Sequence, residues 1–224
     1  MRGATRWVFV GVAAVLGLFG LAAQAQVMPD KVGDELSALA AATHPRAGMH
    51  LVVLAHRPVF RNATGADAIG TLLPGAEVVV LATAGKRLRV HLDGWQQDPG
   101  ARAVYARRGL RILSLALTPE AAQQVRPGAG AADPATGMVW RSIRVTGWLD
   151  PGGLVGAAGR LSGLMTELDA EACGSCHALK PPGALTAYQW AGGMSSSRHR
   201  NLLEADQLGL LLHWLQMGAS DKGF

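Results

Sequence analysis

Cys173 and Cys176 are the only two cysteines in the 224-residue chain, and with His177 they form C-x-x-C-H, here Cys173-Gly174-Ser175-Cys176-His177. That spacing reads as a c-type haem attachment site. The two thiols add across the haem vinyl groups, and the histidine is delivered to the iron as its proximal ligand. The rival chemistries are a disulfide, a thioredoxin-like redox pair and half a zinc site. A structural zinc cage normally takes four N/S ligands, and no third cysteine is present to build one. A redox C-x-x-C should follow a strand and open a helix. Here Leu161, Leu164, Met165 and Leu168 fall at helical spacing ahead of Cys173, so a helix leads into the motif instead. One covalent haem c is the expected cofactor.

Export is the second requirement, because covalent haem attachment takes place on the oxidising side of a bacterial membrane. Arg2 and Arg6 form a positive start, Trp7 to Ala22 is apolar, and Ala23-Gln24-Ala25 is an A-x-A cleavage site. Residues 1–25 are therefore expected to be a signal peptide, with the mature chain starting at Gln26. The apolar run is close enough to spanning length that a retained anchor is the alternative. Either way the remainder is expected to be periplasmic.

Losing Arg2 and Arg6 lowers the formal charge from +5 to +3, a mild excess with no basic run. Nucleic-acid binding has no footprint. No G-x-S-x-G or phosphate loop is found, so the chain is expected to carry electrons rather than to be an enzyme. A haem-based sensor, or an accessory or assembly factor, is the alternative reading.

The elements that must position the motif divide the chain. Residues 26–46 hold an N-terminal helix and linker, with Val32, Leu36, Leu39 and Ala40 at helical spacing before His44-Pro45. From Met49 the pattern changes. Met49 to Leu54, Glu77 to Ala82, Arg87 to Leu92, Ala103 to Leu117 and Val139 to Leu149 are alternating or β-branched runs separated by turn residues, which favours a small antiparallel barrel. Pro119 to Val125 reads as one helical turn, Gly128 to Gly137 as a loop, and the chain from about Leu154 as helical. The expected fold class is α+β: an SH3-like β domain over 47–152, then a small all-α cytochrome c domain over 153–224.

The β portion resembles bacterial SH3-like barrels through Ile69 to Leu81, Leu88 to Trp95 and Gly147-Trp148-Leu149. A longer resemblance runs from about Val52 to Asp221. Leu72-Leu73-Pro74-Gly75, Asp93-Gly94-Trp95, Val104-Tyr105-Ala106, Ala172 to Leu179, Gln189-Trp190 and Trp214-Leu215-Gln216-Met217 together resemble the C-terminal part of the pentahaem c-type cytochromes that serve trimethylamine-N-oxide and dimethyl-sulfoxide reductases. This resemblance implies a single-haem terminal module without the four-haem anchored half. It also implies two partners: an upstream multihaem or membrane quinol-oxidising cytochrome, and a downstream periplasmic molybdenum-cofactor reductase.

The distal ligand stays open among four residues. Met194 lies 17 residues after His177, beside Gly192 and Gly193, and is the first choice; His213, Met217 and His199 are the alternatives. Imidazole and thioether both suit haem iron, and methionine gives the higher potential. Tyr188 and Trp190 are candidate pocket walls, with plain core packing the alternative. Arg198 and Arg200 are candidate partners of haem propionates. A carbonyl of Pro181 or Pro182 is a candidate acceptor for the proximal imidazole N–H.

Overall fold

Among the described residues, ten strands and five helices are arranged so that the strands bury one face in the sheet's own core, while parts of β1, β7 and β10 also bury a second face beneath helices. The computed structural model describes residues 31–97, 102–156, 159–195 and 203–223. The expected leader and His199, with its neighbours Arg198 and Arg200, lie outside the described residues.

Helix α1 (Lys31–Ala42) buries Val32 and Leu36, one turn apart. The strands follow: β1 (His50–Val53), β2 (Arg57–Phe60), β3 (Ala68–Leu72), β4 (Glu77–Ala84), β5 (Arg87–Gln97), β6 (Ala103–Arg107) and β7 (Leu110–Leu117). Helix α2 (Pro119–Gln124) opens on Thr118, whose side chain accepts from the Ala121 N–H. Then come β8 (Gly130–Ala132), β9 (Val139–Leu149) and β10 (Leu154–Gly156). Helices α3 (Arg160–Cys173), α4 (Ala187–Met194) and α5 (Ala205–Met217) complete the chain, with a 3-10 turn at Pro182–Ala184.

Every strand pairing is antiparallel, and the strand order is β10-β1-β4-β5-β6-β7-β3-β2-β9-β8. Strand β5 also pairs with β9, from Leu88 opposite Leu149 to Gln97 opposite Trp140. The pairings β5–β6–β7–β3–β2–β9 thus return to β5. Alternation makes this possible: β5 buries Leu88, Val90, Leu92, Gly94 and Gln96 in turn, while the residues between them face outward. Gly94 and Gly147 sit where neighbouring strands approach; a Cβ on Gly94 would lie 2.6 Å from Val104 Cγ1.

Two hydrophobic cores share the strands. Leu51, Val53, Leu115 and Leu154 face the inner core, whereas Val52, Ile112 and Val155 face a second core with Met165, Leu168, Trp190, Leu211 and Leu215 of the helices. Period-two alternation on β1 and β10 splits adjacent residues between the two cores. The helix that ends in the C-x-x-C-H motif and its neighbours are therefore packed directly on the sheet.

The structure changes several local readings. Ala103 to Leu117 is a hairpin and not one run, because Gly109 takes φ +81° at the turn. The stretch read as a loop contains β8, paired with β9 at Gly130–Ala132. Leu154–Gly156 is a strand on β1, and the helix begins only at Arg160. These two strands are three residues long, below the length at which alternation is visible.

One glycine is fixed by the helical layer. Gly75 has φ +88°, and a Cβ there would stand 2.6 Å from Cδ2 of His213 on α5. Gly75→Ala is expected to cost about 2–5 kcal/mol, combining left-handed strain with overpacking. Adding His213→Ala should return the overpacking part only, read as non-additivity in a urea-denaturation double-mutant cycle.

Candidate haem site

Helix α3 delivers the motif. Its buried face carries Leu161, Leu164, Met165 and Leu168 and ends at Cys173, which is 5% exposed. Beyond it the chain stays tightly turned: the Gly174 N–H donates to Ala170 O (3.0 Å), and the Cys173 carbonyl accepts from Cys176 N (3.2 Å) and His177 N (3.4 Å). Two intervening residues thus bring Cys173, Cys176 and His177 into one turn, with Cys176 and His177 exposed.

Both thiols are free, so the pair forms no disulfide. Burial, the negative charge of Asp169 and its hydrogen bond push the Cys173 thiol up to about 11. Burial likewise raises Asp169, against the Cys173 hydrogen bond and the nearby His177. A thiol held protonated at neutral pH is a poor zinc ligand and a poor redox nucleophile, both of which act as thiolates. Asp169 was not singled out from the sequence; its position one helical turn before Cys173 is the signal that identifies it.

The opposite wall comes from α4. Thr186 and Gln189 close a capping box, with the Thr186 side chain accepting from Gln189 N (3.2 Å) and the Gln189 side chain accepting from Thr186 N (2.9 Å). Trp190 and Met194, four residues apart, then share the buried face of α4. The last turn of the molecule holds this helix in place. Asp221 accepts from Ala187 N (2.8 Å), buried Gln216 donates to Ala187 O (3.1 Å), and Ser220 N donates to Leu185 O (2.9 Å). The Trp190 indole N–H donates to Pro182 O (2.8 Å). Gly218 lets Pro182 pack against the end of α5, since a Cβ there would fall 2.5 Å from Pro182 Cβ.

A cavity of about 330 Å³ lies between these walls. Cys173, His177, Trp190 and Met194 all line it, with Asp169 and Lys180 at its polar points. Its size falls within the range of ligand clefts. A thiol, an imidazole, a buried thioether and an indole in one cavity, with the exposed Cys176 thiol one turn beyond Cys173, fit a covalently held haem.

The other candidates go elsewhere. Tyr188 is 87% exposed and lines a separate cleft with Gln97, Arg111 and Trp140. His213 and Met217 line a second cavity, between the sheet and helices α3 and α5, which shares no residue with the first. Burial, with a smaller effect of the Arg107 charge, pushes His213 down to about 4. The proline carbonyls are engaged by Ala184 N (2.9 Å, to Pro181) and by Trp190, while His177 Nδ1 lies 3.0 Å from Ala178 O.

Residues 45–154 match a family described as the TorC third cytochrome c domain. That stretch is the sheet, and Cys173 and Cys176 lie beyond it. The chain is similar to the cytochrome c-type protein TorC of Escherichia coli (strain K12), 26% identical over 166 residues, which are 74% of this chain and 43% of that protein. It is also similar to the cytochrome c-type protein TorY of Haemophilus influenzae, 27% identical over 150 residues, or 67% and 41%. TorY of Escherichia coli O157:H7 is 24% identical over 194 residues, or 87% and 50%. The chain thus spans half or less of the length of these curated relatives. No solved structure matches it. Over these stretches the chain is similar to cytochrome c-type proteins.

Proposed function

We propose that this TorC-like chain is a periplasmic electron carrier with one haem c attached through Cys173 and Cys176, His177 being the proximal and Met194 the distal ligand. The observation that carries the reading is the single cavity lined by Cys173, His177, Trp190 and Met194. Bound there, the haem supplies a one-electron iron couple.

The chain's own residues do the rest. Cys173 anchors from a buried helix end and Cys176 from the surface, fixing the group at two points that differ in solvent access. Met194 presents a soft sulfur donor, which favours the reduced state and raises the potential. Trp190 excludes water from one wall and is itself held by Pro182. Lys180 offers a cation at the cavity's rim for a propionate carboxylate.

We read the closed circuit β5–β6–β7–β3–β2–β9 as an SH3-like barrel and α3 to α5 as the small cytochrome c portion laid on it. By resemblance, electrons arrive from a multihaem or membrane quinol-oxidising cytochrome and leave to a molybdenum-cofactor N- or S-oxide reductase.

Magnetic circular dichroism of the oxidised protein tests the ligand set. A sulfur-to-iron charge-transfer band is expected in the wild type and in His213→Gln and Met217→Leu. It should vanish in Met194→Leu. A band that survives Met194→Leu would overturn the assignment, as would rapid carbon monoxide binding by the reduced wild type.

A further inference from the structure

We propose that the cavity between the sheet and helices α3 and α5 is a site for a soft monovalent metal ion of the Cu(I) class, held by the thioethers of Met165 and Met217 and the imidazole of His213. The cavity measures about 390 Å³ and all three side chains line it. It is separate from the cavity that holds Cys173 and Met194.

The donors come from two helices. His213 and Met217 are four residues apart on α5, so they occupy one face of the helix. Met165, wholly buried, comes from α3. The half-buried His213 ring lies beneath the Pro74-Gly75 turn and faces the cavity.

The donor chemistry selects the ion. Among the described residues no three His, Cys, Asp or Glu side chains converge as a metal cage, so hard and borderline divalent ions lack one here. Two thioethers with one imidazole are soft donors and suit Cu(I). Charge points the same way. Arg107 acts on His213 as a like charge, which opposes a divalent ion twice as strongly as a monovalent one. Glu77 and Asp93 line the same cavity and offset part of that repulsion. Trp214 also lines it, and an indole face attracts a desolvated cation. An ion bound here would join α3, which ends in Cys173, to α5.

The test uses ferrous holoprotein under anaerobic conditions, titrated with Cu(I) against bathocuproine disulfonate. Ferrous haem cannot accept an electron from Cu(I), so binding is read without electron transfer. The wild type should retain one equivalent of copper that the double variant Met165→Leu, Met217→Leu binds at least tenfold more weakly. These swaps conserve volume and spare the fold. His213→Gln should weaken binding as well, whereas His44→Gln, outside the cavity lining, should leave it unchanged. Equal copper retention by the wild type and the double variant would overturn the proposal. So would loss of the haem's sulfur-to-iron band in Met217→Leu, because Met217 would then be the distal haem ligand. Loss of that band in Met194→Leu, with copper retention unchanged, would support both assignments separately.

Discussion

Cys173→Ala and Cys176→Ala should each leave haem held by a single thioether, and the double variant should release it entirely to acidified acetone. The two single variants should nevertheless differ. Cys176 is exposed, so its replacement removes a bond and little else. Cys173 is buried at the end of α3 and lines the haem cavity. Its truncation opens a further methyl-sized void at a cost of about 1 kcal/mol. Both pyridine haemochrome spectra should move towards the one-thioether position, with the larger drop in thermal stability for Cys173→Ala. His177→Ala should keep both thioethers and lose the low-spin spectrum, since attachment and ligation are separate bonds. A wild-type intact mass equal to the bare polypeptide would sink the haem reading altogether.

Acid should destabilise the metal-free protein through His213 before it touches most carboxylates. In the fold this imidazole is pushed from 6.5 down to about 4, by burial first and by Arg107 second. Between those values the unfolded chain binds the proton and the folded chain does not, so stability rises with pH. It is full above about pH 6.5, falls on the order of 3 kcal/mol as pH drops towards 4, and levels off once the folded form is also protonated. Asp93 acts lower still. The Arg144 hydrogen bond holds its carboxyl below 3.8, so its share is lost only as pH falls below that value. Urea unfolding at pH 7, 5.5 and 4.5 measures the slope. His213→Leu should flatten it. An unchanged slope in His213→Leu would refute the assignment.

Much of the helical layer is legible from residue order because its signals are local. The stripe Leu161, Leu164, Met165 and Leu168 gives α3, and its run into Cys173 gives the proximal half of the site. Alternation gives β5 and β9 for the same reason. The strands β8 and β10 are not legible. Three residues carry too little pattern, and their partners lie 9 and about 100 residues away in sequence.

The distal half of the site marks the boundary between the two kinds of information. Sequence alone pointed to the proposed cofactor chemistry, because C-x-x-C-H has the local spacing of a covalent haem attachment site, and it offered Met194, His199, His213 and Met217 as candidate distal donors. It put Met194 first only by its distance from His177, since each candidate sits in a segment that could face either way. Tertiary packing separated three of them: the capping box and the Asp221 and Gln216 bonds turn Met194 and Trp190 of α4 towards Cys173, while α5 carries His213 and Met217 to the sheet. Which face of a helix meets which cavity depends on contacts between residues distant in the chain, and that is information only the folded structure holds.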